Sequence, residues 1–236
     1  MSQRKYPENY LTFQQGSTEW LLERCGSVTA SRVKDVVAKL KNGKESAARA
    51  SYKLELLTEV LTGRAAEHYV SAEMQHGIET EPIARTTYEM AKGVEVERIG
   101  YARHPRIPRC GASPDGLVGD DGLVEFKCPT TATHLQYVLN ETIPDEYLPQ
   151  CMWQMACSGR QYCDFVSFDP RLPEDFGLFI KRLERDDKLI GEMEAEVEKF
   201  IGELNEMCER LKAHARPNIA GPEPARAEIP DFEVVE

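Results

Sequence analysis

Ser113-Pro114-Asp115-Gly116-Leu117-Val118-Gly119-Asp120-Asp121-Gly122-Leu123-Val124-Glu125-Phe126-Lys127-Cys128-Pro129 is the stretch whose polar residues cannot be dismissed as solvated surface. Two short apolar runs flank Gly119-Asp120-Asp121-Gly122, a cluster of residue types that tolerate the tight or left-handed backbone of a turn. A β-hairpin is the natural reading. With the turn centred between Asp120 and Asp121, Asp115 lies across from the neighbourhood of Glu125 and Phe126, where opposed residues sit roughly 5 Å apart. Period-2 alternation puts Leu123, Glu125 and Lys127 on one face of the second strand and Val124, Phe126 and Cys128 on the other.

Two carboxylates held that close repel, and burial forces one of them to take a proton unless a cation sits between them. Hard oxygen ligands, few in number, suit Mg²⁺ or Mn²⁺, which fill their remaining positions with water and phosphate oxygens. Lys127, beside such a cation in a partly desolvated cleft, is expected to have a depressed pKa and to orient or deprotonate an attacking water. The same spacing also fits a polar hairpin in which Glu125 and Lys127 form a surface ion pair.

At 236 residues with 41% hydrophobic composition, the length suits one sizeable α/β domain. No run approaches the ~20 apolar residues that span a bilayer. The start, Met1-Ser2-Gln3-Arg4-Lys5-Tyr6, lacks the apolar centre of a signal peptide. Seven cysteines form no C-x-x-C pair and are odd in number, so neither a zinc ribbon nor a disulfide framework is suggested, and a reducing cytoplasm fits best.

The net charge of −11 opposes a nucleic-acid partner until its distribution is considered. Residues 184–236 hold 15 acidic against 7 basic groups, so most of the excess acid is C-terminal. Residues 31–53 hold seven basic against two acidic, and residues 98–109 hold Arg98, Arg103, Arg106 and Arg109 with no acid. If these patches converge, they make a local DNA track.

Ser17 caps a short helix that Gly26 ends, and Thr29 or Ser31 caps a second one through Leu40, with Val33, Val36, Val37 and Leu40 on its buried stripe. A polar loop, 41–44, precedes a third helix over 46–62, closed by Gly63. A fourth helical stretch over about 70–91 is interrupted near Gly77 and Pro82. A β region over 94–128 leads to helices over 131–139 and 145–158, strands over 162–168 and 177–183, and a long helix over 186–213 with apolar residues recurring at three and four. The segment 216–236, rich in Pro, Ala and Glu, reads as a disordered tail behind a single domain, 1–215.

Ser113-Pro114-Asp115-Gly116 followed by Glu125-Phe126-Lys127-Cys128-Pro129 resembles the PD-(D/E)xK nuclease core, in the form found in the lambda-exonuclease and YqaJ-type viral recombinase family. Trp20 to Arg24, Val28 to Ser31, Gly77 with Glu81, Tyr147 with Gln150, and Phe168-Asp169-Pro170-Arg171 fall in that family's order and approximate spacing. The resemblance implies an α/β fold with a restriction-endonuclease-like core, a central mixed β-sheet flanked by helices. It also implies a Mg²⁺-dependent exonuclease, with two ions per site and Mn²⁺ as an alternative, that degrades one strand of linear duplex DNA from its 5′ end. The product would be 5′-mononucleotides and a 3′ single-stranded tail for a single-strand annealing protein, and the assembly a homotrimer in the cytoplasm of a bacterial host.

Carried over residue by residue, Asp115, Glu125 and the Phe126 backbone carbonyl would hold metal, Glu81 would add a further carboxylate, and Lys127 would position the water. Arg24 and Ser31, joined by Ser113, match the residues that bind a terminal 5′-phosphate. Lys41 falls in a basic loop that enters the DNA groove, and Met74 where an apolar residue wedges the end base pair. Where similar proteins tend to show Gln-x-Gln, this chain has Gln150-Cys151-Met152-Trp153-Gln154, so Gln150 is the preferred polar contact at the site and Gln154 the reserve. Pro82, directly after Glu81, is a further departure that could re-aim the helix. An endonuclease of the same chemistry and a non-catalytic DNA-end clamp are the competing readings.

Overall fold

A computed structural model describes residues 6–38, 45–66 and 71–214. Along the chain run β1 (Tyr10–Leu11), α1 (Thr18–Arg24), β2 (Val28–Thr29), a 3₁₀ turn (Ala30–Arg32), α2 (Val33–Val37), α3 (Ala47–Thr62) and α4 (Ala72–Lys92). Then come β3 (Val96–Glu97), β4 (Tyr101–Arg103), β5 (Cys110–Ala112), β6 (Gly116–Val118), β7 (Gly122–Lys127), α5 (Thr131–Asn140), α6 (Leu148–Ser158), β8 (Tyr162–Phe168), α7 (Glu174–Gly177), β9 (Leu178–Glu184) and α8 (Asp187–His214).

Local chemistry sets most of these bounds. Ser17, Ser46, Ser71 and Thr130 each accept a hydrogen bond from a backbone N–H in the first turn of the helix they precede. Gly63, Gly93 and Gly159 close α3, α4 and α6 in the left-handed conformation.

The larger sheet, in the order β3-β6-β7-β8-β9, is mixed, since β7 and β8 run parallel while the other pairs are antiparallel. Its two faces bury different partners. Leu117, Leu123 and Cys163 pack with α6 and α8, whereas Val118, Val124, Phe126, Val166 and Phe168 pack against Ala84 and Tyr88 of α4. This is the alternation read from the hairpin. A second sheet, β1-β4-β5-β2, is also mixed and places Ser113 just beyond β5. Among the described residues no helix is long and apolar enough to cross a membrane.

Several expectations are corrected. The second helix is shorter than 29–40: Val28–Thr29 pair with β5, Thr29 makes no side-chain cap, and α2 ends at Val37, while Leu40 lies outside the described residues. The helix expected to break near Gly77 and Pro82 is continuous over 21 residues. Pro82 is exposed, as is Ile78, whose carbonyl loses its i+4 donor, so water can satisfy it at low cost. Helix α6 starts at Leu148 rather than 145, with Pro149 in its first turn, where its missing N–H costs nothing. Of the apolar α3 residues Tyr52, Leu54, Leu57, Val60 and Leu61, only Tyr52 and Leu57 are buried, and Leu56 completes the buried stripe. The tail 216–236 and the loop 41–44 lie outside the described residues.

Candidate active site

The hairpin pairs Gly116 with Val124, Leu117 with Leu123 and Val118 with Gly122, one residue off the register read from sequence. Its turn, Gly119-Asp120-Asp121, has three residues, and Gly119 takes φ 54°, the left-handed conformation a glycine adopts without strain. Extending the ladder by one residue sets Asp115 opposite Glu125, so the two carboxylates face each other more directly than expected. Extending it by two sets Pro114 opposite Phe126. The Phe126 N–H points to this side of β7, because it donates to Asp115 Oδ2 at 2.7 Å. A strand residue directs its N–H and C=O the same way, and Pro114 has no N–H to offer. The Phe126 carbonyl is therefore left without a ladder donor beside Asp115.

Glu125 is 2% exposed and has three side-chain donors. Oε1 accepts from Lys127 Nζ at 2.5 Å and from the Gln150 amide, and Oε2 accepts from Gln154 Nε2 at 2.6 Å. Gln150 and Gln154 lie one turn apart on α6, so they reach the same carboxylate, and Met152 between them packs into the core. The preferred and the reserve glutamine are both at the site.

Burial, then the charge of Glu125, pushes Asp115 well above the usual carboxylate range; Lys127 pulls the other way and Glu81 adds to the rise. For Lys127, burial works against the ammonium, but Glu125 and Asp115 outweigh it and hold the group above an ordinary lysine. The expected depression was for a lysine beside a cation; the protein groups that face Lys127 are acids, and they act in the opposite direction. The ring of Tyr147 covers the ammonium at 5.1 Å.

The donor set fits Mg²⁺ or Mn²⁺. It offers two opposed carboxylates, one of them destabilised in its charged form, and a carbonyl with no ladder donor, all hard oxygens. Glu81 does not yet join them. Its carboxylate is bonded to Arg85, four residues along α4, and among the described residues no three or more His, Cys, Asp or Glu groups stand in a metal-holding arrangement.

Arg24 and Ser31 line one cavity of ≈ 290 Å³, and Met74, 51% exposed, lines it too. Arg24 Nη1 donates to Ser113 Oγ at 3.1 Å, and its guanidinium lies 4.0 Å from the Trp20 ring centre. Trp20 Nε1 also donates to Ser113 Oγ, at 2.9 Å, and to the Gly100 carbonyl at 3.1 Å. Among the described residues Arg24 has no carboxylate partner, and burial lowers its pKa, opposed by Tyr101, Tyr52 and Glu59. A desolvated guanidinium in that state favours an incoming anion. Ser113 connects this pocket to Asp115, two residues on. Lys41 lies outside the described residues.

The basic patches do not form a continuous track among the described residues. Arg32 pairs with Asp35 and Glu55, Arg49 and Lys53 with Glu45 and Glu203, Arg103 with Glu23, and Arg106 with Glu194, so much of the counted charge is spent on internal ion pairs. Two of the described histidines are held by packing and hydrogen bonds. His134 is buried between Ser167 and the Phe176 carbonyl, and His104 faces Glu194 while stacking on Trp153.

Two neighbours of the site went unassigned in the sequence, Trp20 and Arg85. Both carried a signal, since each stands four residues from an assigned residue within one helix, Trp20 from Arg24 and Arg85 from Glu81.

Comparison with known proteins shows the family and the fold. The alkaline exonuclease LHK-Exo from Laribacter hongkongensis, solved also in complex with dAMP, is 47% identical over 84% of this chain and 97% of its own, with a TM-score of 0.79. A phage-related exonuclease from Haemophilus somnus 129PT shares the fold at 16% identity, covering 78% of this chain and 96% of its own with a TM-score of 0.64. A search of curated protein sequences gave no match. The model of the YqaJ-like viral recombinase domain matches residues 19–161, which include the hairpin, Arg24, Glu81 and both glutamines, and the chain belongs to that family.

Proposed function

We propose that the chain is a metal-dependent exonuclease that degrades linear double-stranded DNA from the 5′ end, releases 5′-mononucleotides and leaves 3′ single-stranded overhangs. The observation that carries this reading is the Arg24–Ser113 hydrogen bond, which joins a guanidinium with no carboxylate partner among the described residues to the segment between β5 and β6 that bears Asp115. A terminal phosphate held there would be bound by Ser113, two residues before Asp115 in the chain. Supporting it are the name of the 47%-identical relative, an alkaline exonuclease, and its complex with dAMP, a mononucleotide of the product class.

Asp115, Glu125 and the Phe126 carbonyl would hold the metal, with Glu81 able to join by turning from Arg85. When bound, divalent ions there supply Lewis-acid polarisation of the scissile phosphate and lower the pKa of the attacking water. Lys127 donates to that water or to a phosphate oxygen, Gln150 and Gln154 keep both oxygens of Glu125 in place, and Arg24, Ser31 and Ser113 grip the 5′-phosphate, setting polarity. The reading carries with it a homotrimer and a single-strand annealing partner.

The test compares 5′-phosphorylated linear, 5′-hydroxyl linear and closed-circular duplex in Mg²⁺. Digestion that prefers the phosphorylated end, spares circles and disappears in Lys127→Ala is the expected result. Cutting of closed circles supports an endonuclease instead, and tight end binding without hydrolysis in Mg²⁺ or Mn²⁺ supports a clamp.

A further inference from the structure

Glu81 and Arg85 form a contact that the proposed chemistry leaves unused. The Arg85 side chain is 13% exposed and Glu81 32% exposed, and Glu81 accepts from Arg85 Nη2 across one turn of α4. Arg85 Nε is buried with no hydrogen-bond partner, and its guanidinium sits 5.8 Å from the Phe126 ring centre. Glu81 is the carboxylate that balances this cation among the described residues. Turning Glu81 toward Asp115 strands a guanidinium that already has one unsatisfied donor, and an unpaired buried cation is costly. Glu81 is nonetheless close enough for its charge to push Asp115 upward.

We propose that Arg85 is a positioning residue that restrains Glu81 from joining Asp115 and Glu125, so that the full set of acidic ligands assembles only in competition with a guanidinium. The inference rests on the metal site proposed above and concerns which residue controls its occupancy. It assigns Arg85 a role in metal affinity rather than in contact with the reacting atoms.

The experiment is Mn²⁺ binding to the full chain without DNA, followed by calorimetry and by the electron paramagnetic resonance signal of the ion. Arg85→Met should tighten Mn²⁺ binding on the order of fivefold, the worth of a partly exposed ion pair, and Arg85→Lys should stay near wild type. Removing a cation also strengthens any nearby cation site through its field, so the same substitution is made in the Glu81→Gln background. A gain confined to the background that retains Glu81 supports the restraint; an equal gain in both backgrounds, or weaker binding in Arg85→Met with an unchanged thermal midpoint, overturns it. If wild type binds no Mn²⁺, or Asp115→Asn leaves binding unchanged, the metal-site reading itself fails, which is a separate outcome.

Discussion

Replacing Gln154 by Leu isolates one of the donors that hold Glu125. Gln154 is fully buried, and its Nε2 is the side-chain donor to Glu125 Oε2, at 2.6 Å. Leucine has a similar volume, so the change removes a charge-assisted hydrogen bond without opening a sizeable cavity, at a cost of about 1.5–3 kcal/mol. For a chain of this length each kcal/mol shifts the thermal midpoint by about 2–4 °C, so a drop of roughly 3–12 °C is expected. Gln150→Leu is the internal control. The oxygen it serves keeps Lys127 as a donor at 2.5 Å, so the loss should be nearer 1 kcal/mol. The assay is calorimetric unfolding of both variants without added metal, paired with Mg²⁺-dependent digestion of linear duplex. Activity should fall in both variants, because the carboxylate that each one holds in place is proposed as a metal ligand. A larger midpoint drop for Gln150→Leu than for Gln154→Leu would refute the assignment of Oε2 to Gln154.

Arg24→Gln should cut the preference for a 5′-phosphate over a 5′-hydroxyl end by roughly 10- to 100-fold, the worth of a charged hydrogen bond; initial rates on the two ends measure it, and an equal loss on both ends contradicts the pocket. Asp169 offers a pH test of stability. Burial favours its neutral form, but hydrogen bonds from the Arg171 side chain, Thr131 and the Arg171 backbone hold it at about 2 against an ordinary 3.8. A carboxyl lowered on folding stabilises the protein above its unfolded value and loses that contribution as pH falls through the folded one. Urea midpoints of wild type should therefore exceed those of Asp169→Asn near neutrality, and the gap should narrow as pH falls from about 4 toward about 2; a constant gap would count against the reading.

The hairpin was legible because its information is local. A turn cluster and period-2 alternation place Asp115, Glu125 and Lys127 together whatever surrounds them, and a one-residue error in register left the carboxylates paired. Capped helices such as α3 and α5 were legible for the same reason, since Ser46 and Thr130 act within one turn. Continuity of α4 through Pro82 was not, because it depends on which side of the helix faces water. The ion pairing of the basic patches was not legible for a related reason. Their partners Glu23, Glu194 and Glu203 lie 80 or more residues from Arg103 and Arg106, and 150 or more from Arg49 and Lys53.

By itself, then, the sequence determined the family resemblance, the hairpin triad and the helix ends that carry a side-chain cap or a closing glycine, the last two set by interactions within a few residues. Only the tertiary structure decided that both Gln150 and Gln154 grip Glu125, that Trp20 and Arg24 converge on Ser113, and that Glu81 faces Arg85 rather than Asp115. The convergence on Ser113 and on Glu125 depends on how α1 and α6 pack beside the sheets. The choice between Arg85 and Asp115 depends on burial, which sets the worth of each charge, and neither packing nor burial is written in residue spacing.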